Sequence, residues 1–273
     1  MVSAGQMDVA TSVTVVVPTR RAGRTLAACL RSLRSQTHVL TEIVVVDNHS
    51  DDETCEIARA YADHVEIRGP ERSAQRNAGA RLGSGDVLVF VDADMVLEPG
   101  VVAQVVQALN DSSVAGVVIP ERSFGVGVWA RAKALEKLIV EGDPAVEGLR
   151  AVRRGDFEAV GGYDERLDAF EDWDFSDRVV AAHGGRVART NACIWHDEGH
   201  LRLRDTYRKK RYYGAMLLQW REHAPPHRLR RRTGLTTLRR LVRSPGSAVA
   251  FAIIKSVEMA GFAAGARSAR RAK

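Results

Sequence analysis

Three cysteines in 273 residues, at positions 29, 55 and 193, are too few and too scattered for a disulfide scaffold or a thiolate metal site. Each reads as a reduced, packed thiol of a cytoplasmic protein. A charged-then-apolar leader is missing as well, and residues 1–11 read as a short disordered leader. The longest mostly apolar stretch, 248–266, carries Lys255 and Glu258 near its middle, which is costly for a membrane span. Acids are scarce towards the end of the chain. From His200 to Lys273 there are 19 Lys and Arg against 3 Asp and Glu; out of totals of 40 and 34, that leaves 21 against 31 in front of it. An acidic front and a strongly basic back indicate two jobs, and nucleic acid and an anionic membrane surface are the candidate partners of the back. Otherwise the composition, 45% hydrophobic and 27% charged, is that of a globular chain able to bury a substantial core.

The most informative segment is V-L-V-F-V-D-A-D at 87–94, an apolar run that stops on two carboxylates. It reads as a buried strand, and a desolvated acid at its end needs a cation or several hydrogen bonds. If the chain stays extended, Asp92 and Asp94 point the same way, and two hard oxygen ligands suit a divalent cation that also holds phosphate. Upstream, β-rich runs at 12–17 and 42–46 end on Pro18-Thr19 and Asp47-Asn48. Helical spacing is expected over 24–36, with Thr25 as a candidate N-cap, and over 52–61, 73–82 and 99–109. Further strands are expected at 65–67 and 116–119. Strands alternating with helices imply βαβ units, hence an α/β, mostly parallel, doubly wound sheet. Ligands of such sheets bind beyond the carboxyl ends of the strands, so the three polar clusters should converge.

In order and spacing the chain resembles the family 2 glycosyltransferases of the GT-A fold. The resemblance rests on V-T-V-V-V-P-T-R-R (13–21), I-V-V-V-D-N-H-S-D-D-E-T (43–54), R-N-A-G-A-R-L-G-S-G-D (76–86), V-D-A-D (91–94), R-R-G-D-F-E-A-V-G-G-Y-D-E (153–165) and E-D-W-D-F-S-D-R-V (171–179). It implies a catalytic domain over 12–200, with a nucleotide-binding half at 12–120 and an acceptor half at 121–200. A basic helical extension, 201–273, follows. It also implies a nucleotide site built from Pro18, Thr19, Arg21, Asp47, Asn48, Arg76, Asp92 and Ala93, and Mg²⁺ or Mn²⁺ on Asp94. Many relatives carry two acids where Asp47-Asn48 stand, which leaves UDP-, GDP- and dTDP-sugars all open as donors.

Moving a sugar needs a Lewis acid on the diphosphate and a base for the acceptor hydroxyl. Glu171-Asp172, at the start of a helical stretch 171–182, supplies a carboxylate pair. The resemblance assigns the base to Asp172 and leaves Glu171 to orient or bind the acceptor. His196, expected just after a strand, is a candidate second metal ligand, with Asp197 and Glu198 as alternatives. Trp173 could stack on an acceptor sugar or belong to the core. A helix over 129–140 precedes E-G-D-P-A-V-E-G (141–148), read as a loop over the site, and Gly161-Gly162 reads as a turn.

In the basic extension, residues 201–220 interleave bases with aromatics, as an amphipathic helix at an anionic lipid surface does. A second basic segment follows at 228–243. For 248–266, docking on the catalytic domain, on a partner or on the membrane all fit. The expected enzyme is an inverting transferase of single addition: processive synthases carry a Q-x-x-R-W segment, and this chain has only Q-W-R (219–221). It is expected in the cytoplasm, at the inner face of the cell membrane. The acceptor class stays open between a glycan, a lipid-linked intermediate and a small molecule. A nucleotidyl-transferring pyrophosphorylase would need a Gly-rich, Arg/Lys-bearing loop after the first strand, which P-T-R-R-A-G-R does not supply. The alternative from another class, a non-catalytic nucleic-acid- or membrane-binding protein on such a fold, predicts binding that falls steeply with salt. It leaves the aligned acids unexplained, so nucleic acid is the disfavoured partner.

Overall fold

The computed structural model describes residues 11–38, 41–221 and 245–271. Strand β1 (Val13–Thr19) is rich in valine and buried along its whole length, because it runs through the middle of a sheet covered on both faces. Its neighbours β2 (Thr41–Asp47) and β4 (Val87–Phe90) are parallel to it, and β3 (His64–Ile67) extends the sheet parallel to β2. The connecting helices are α1 (Leu26–Arg34), α2 (Thr54–Tyr61) and α3 (Arg72–Leu82). Side chains alternate across β1. Val13, Val15 and Val17 join Leu26, Leu30 and Leu33 of α1 in one core cluster, whereas Val16 joins Phe90 and Ala80 on the other face. Helix α3 can lie close to that face because Gly79 has no side chain: a Cβ there would meet Val16 Cγ1 at 2.4 Å.

Beyond β4 the chain makes the short β5 (Met95–Leu97), then α4 (Val101–Leu109), β6 (Val114–Val118), β7 (Glu121–Val126) and α5 (Val128–Val140). Next come β8 (Ala151–Arg153), α6 (Arg154–Ala159), α7 (Glu171–His183), β9 (Arg186–Arg189) and β10 (Ile194–His200). The seven-stranded sheet has the order β3-β2-β1-β4-β8-β6-β9, and a three-stranded sheet has the order β5-β10-β7. The large sheet is mostly parallel as expected; the exception is β8, antiparallel to both β4 and β6. The small sheet has no signal in the periodicity, because β5 is three residues long and pairs with a strand about a hundred residues away.

Helix α8 (Leu203–Arg221) and a last helix, α9 (Pro245–Arg271), pack on each other, and α9 also packs on α5. They meet at glycines: a Cβ on Gly265 would lie 2.0 Å from the Arg211 carbonyl oxygen, and one on Gly214 2.4 Å from that of Phe262. The expected leader and the basic segment 228–243 lie outside the described residues, apart from residue 11.

Three local expectations are corrected. Thr25 does occupy the N-cap position of α1 but makes no side-chain cap bond; its hydroxyl turns back to Ala22 O at 3.5 Å. The strand before Asp92 ends at Phe90, and the Met95 N–H bonds Asp92 O across a turn, so alternation does not govern the two acids. His196 lies within β10 rather than after a strand, paired with Met95 of β5 and Ser123 of β7.

Candidate active site

The three polar strand ends do converge. Thr19 ends β1 and Asp47 ends β2, side by side in the parallel register, with the Thr19 hydroxyl donating to Asp47 at 2.8 Å. A cleft of about 470 Å³ opens beside them, lined among others by Pro18, Thr19, Arg21, Ala93, Asp94 and His196. Asp92 lines it too, together with Glu121, Lys137, Arg150 and Lys209. Asp47 does not line it. Its carboxylate is buried and accepts from Thr19 and from the N–H and hydroxyl of Ser50, which hold it below the usual carboxylate range against the cost of burial. Asn48 donates its amide to the Pro70 carbonyl. Both shape the end of the cleft from behind. Arg21 is exposed, in the left-handed region at φ 49°, and paired with Asp51 at 2.7 Å.

Arg76 is the centre of the site although it has 0% exposure. Its Nη2 donates to Asp92 at 3.0 Å, and its Nη1 to Glu171 at 3.2 Å and Asp172 at 2.7 Å. The guanidinium also sits 5.1 Å from the centroid of the Tyr163 ring. Arg150, also little exposed, reaches the other Asp92 oxygen at 3.3 Å and pairs with Glu121. Burial alone would raise Asp92, but Arg150, Arg76 and Arg72 hold it well below the usual carboxylate range. Glu171 goes the other way: burial and the charge of Asp172 raise it, despite Arg72 and Arg76.

Helix α7 presents the acid pair unequally. The Glu171 side chain is 5% exposed and that of Asp172 is 37% exposed. Asp172 borders a second cavity of about 200 Å³, whose walls include Lys137, Val146, Leu149, Arg150 and Trp173. Trp173 is fixed there by its indole N–H, which donates to Val146 O at 2.8 Å. So the 141–148 segment forms a wall of this cavity. Glu121, Lys137 and Arg150 line both spaces and form the partition between them. The helix itself is set by Phe175, buried among Phe90, Phe157 and Tyr163 with ring centroids 4.3–6.1 Å away. Phe170, just before Glu171, has φ 66°.

Asp94 meets His196 across the β5–β10 pairing, with Oδ2 2.9 Å from Nε2. The other ring nitrogen lies 3.3 Å from Glu198. Burial would lower His196, but Asp94 and Glu198 together push it up to about 10. Asp197 turns instead to Arg24 at 2.6 Å. Among the described residues no group of three or more His, Cys, Asp or Glu could hold a metal by itself. A carboxylate and an imidazole at hydrogen-bond distance nonetheless fit a cation that takes its remaining ligands from water and phosphate.

Sequence reasoning passes over Arg150, Lys137 and Asn77. Asn77 donates to Tyr163 O and accepts from Tyr163 N, both at 2.9 Å, and so fixes the turn at Gly161-Gly162 under the Arg76 guanidinium. The R-N-A-G motif thereby has three separate uses: Arg76 for the acids, Asn77 for the turn, Gly79 for the close approach to β1.

Known proteins resemble this chain in sequence and in fold. The glycosyltransferase of PGL/p-HBAD biosynthesis from Mycobacterium bovis (strain BCG / Pasteur 1173P2) is 29% identical over 178 residues, 61% of this chain and 69% of its own length. The O-antigen chain rhamnosyltransferase WbaN of Salmonella anatum is 26% identical over 199 residues, 65% of this chain and 63% of its own length. Among solved structures, the mannosyltransferase PcManGT of Pyrobaculum calidifontis, in complex with GDP-Man and Mn²⁺, superposes with a TM-score of 0.60 at 20% identity, over 96% of this chain and 83% of that one. The profile of Glycosyl transferase family 2 matches residues 14–164, more than half of the 273. The chain therefore belongs to glycosyl transferase family 2, the nucleotide-sugar-dependent glycosyltransferases built on the GT-A fold.

Proposed function

We propose that this glycosyltransferase moves one sugar per event from a nucleoside-diphosphate donor to an acceptor hydroxyl, by single displacement with inversion, Asp172 being the general base. One observation carries the reading: the exposed carboxylate of the acid pair borders a cavity that shares its partition, Glu121-Lys137-Arg150, with the cleft at the strand ends. The donor diphosphate occupies the cleft and the acceptor occupies the cavity. The acceptor oxygen attacks the anomeric carbon, its proton passes to Asp172, and the bond to the diphosphate oxygen breaks with its electron pair. Arg76 holds Asp172 in register through its hydrogen bond; Glu171, deeper in the protein, orients that pair. Lys137 and Arg150 offer positive charge where the leaving diphosphate gathers negative charge. Pro18, Thr19, Arg21 and Ala93 form the nucleoside side of the cleft, with Asp47 and Asn48 supporting it.

Asp94 and His196 would hold Mg²⁺ or Mn²⁺, which when bound stabilises the diphosphate as a Lewis acid. An imidazole in the donor set favours Mn²⁺ of the two. UDP-, GDP- and dTDP-sugars are the candidate donors. Solved relatives bind GDP-Man with Mn²⁺, UDP, or UDP with Mn²⁺. Trp173 offers a flat apolar surface to an acceptor ring, be it part of a glycan, a lipid-linked sugar or a small molecule.

The test is calorimetric titration with UDP, GDP and dTDP, each with and without Mn²⁺. Metal-dependent binding of one nucleotide is expected. Absence of binding by all three would overturn the reading in favour of a non-catalytic protein on this fold.

A further inference from the structure

Helix α9 divides into two faces of opposite character. Its inner stripe, Ala250, Ile254, Glu258, Gly261 and Gly265, is buried against α5 and α8. Glu258 and Lys255 belong to a clamp there: Lys133 of α5 donates to Glu136 at 2.6 Å and to Glu258 at 2.8 Å, and Lys255 pairs with both glutamates. Lys210 of α8 lies 3.7 Å from Glu258. The stretch Ala248–Arg270 is long and apolar enough to cross a bilayer. Crossing would strip this clamp and leave two charges in hydrocarbon, so α9 is held on the catalytic domain instead.

The outer stripe is apolar and uncovered among the described residues. Val249 is 64% exposed, Ile253 42% and Met259 71%. Ala252, Ala260 and Ala263 lie exposed on the same arc, and between Val249 and Ala263 its sole polar member is Ser256. A helix rising 1.5 Å per residue makes this strip roughly 21 Å long. Arg267 and Arg270 are exposed at its C-terminal end, and Arg204, Arg208 and Arg211 are exposed on α8, the helix packed against the inner stripe of α9.

We propose that the outer face of α9 lies in the headgroup region of an anionic lipid bilayer, parallel to its plane, with α8 supplying the contacts to phosphate. An apolar strip flanked by Arg is what an interfacial helix presents to lipid, and each base near an anionic surface adds attraction. Charge also decides against a second copy of this chain as the occupant, since that would bring together two segments that each carry 19 bases and 3 acids from His200 onwards. The inference goes beyond the transfer reaction and does not rest on it. Because Lys209 of α8 lines the donor cleft, the docked helix pair would hold the cleft next to the membrane.

The full chain is sedimented with vesicles of phosphatidylcholine alone and of phosphatidylcholine with phosphatidylglycerol, without donor or acceptor. Binding to the anionic vesicles is expected, weakening as salt rises. The triple variant Val249→Glu, Ile253→Glu, Met259→Glu should weaken it by about tenfold or more, with circular dichroism and nucleotide binding unchanged. Arg204→Gln with Arg208→Gln and Arg211→Gln should remove the preference for anionic lipid. Val187→Glu, at an exposed valine of β9, should change nothing. The proposal is overturned if the wild type ignores anionic vesicles, or if the triple glutamate variant binds them as well as the wild type. It is equally overturned if the wild type self-associates without vesicles and the triple variant does not.

Discussion

Arg76 and Asp172 lie 2.7 Å apart with the guanidinium wholly buried and the carboxylate facing a cavity. The arginine also holds Asp92 and Glu171, so one cation ties the turn after β4 to the start of α7. Arg76→Ala would leave these acids without their central counter-charge. The expected cost is about 3–5 kcal/mol of stability, measured by chemical denaturation. Arg76→Lys keeps the charge but not the fork, and should recover part of that stability while transfer stays impaired.

Asp94→Ala should weaken nucleotide binding in the presence of Mn²⁺ and leave the metal-free affinity nearly unchanged. Calorimetry on the variant and the wild type, each with and without chelator, reads this directly. Equal affinities for the two proteins in Mn²⁺ would remove Asp94 from the metal site.

Gly265→Ala puts a methyl group into the Arg211 carbonyl, 2.0 Å from where its carbon would sit. The helices must move apart, at an expected cost of roughly 1–3 kcal/mol. Limited proteolysis should then release α9 before the catalytic domain unfolds. Gly155→Ala, where a Cβ would meet nothing within 4 Å, is the matched control and should not.

The α5–α9 clamp makes stability depend on pH in a definite direction. Burial would raise Glu136, but Lys133 and Lys255 lower it from 4.5 to about 2. A depressed acid stabilises the fold above its unfolded value and loses that contribution as pH falls through the folded one. The stability difference between wild type and Glu136→Gln should therefore be full above about pH 4.5 and shrink towards pH 2. Lys210, lowered by burial from 10.5 to about 8, acts in the same direction but in an alkaline window. Between those values the unfolded chain binds the proton and the folded one does not, so its contribution becomes more favourable as pH rises. Denaturation at several pH values checks both.

How far the sequence can be read follows from how local each signal is. Strands β1, β2 and β4 are legible because a central parallel strand must be apolar on both faces, and because Thr19, Asp47 and Asp92 break those runs. The Glu171-Asp172 pair is legible as chemistry, but its unequal exposure depends on Phe175 packing among rings from separate segments. Arg150 is invisible because its role comes from β8 pairing antiparallel with β4, a long-range event, and Lys137 because α5 folds back on β7 so that it reaches Glu121. Lys255 and Glu258 look like flaws in an apolar helix until Lys133 and Glu136, more than a hundred residues earlier, supply their partners. Asp47 reads as a nucleotide contact in the sequence, whereas its buried oxygens are taken by Thr19 and Ser50.

As proposed, Asp172 takes the acceptor proton and does not hold the donor. The decisive measurement compares wild type with Asp172→Asn for two quantities: affinity for the nucleotide that binds, and release of nucleoside diphosphate from the matching sugar donor. Near-equal affinity is expected, with release slowed by about 10²–10⁴-fold. Loss of affinity together with release, or release that continues at the wild-type rate, would contradict it.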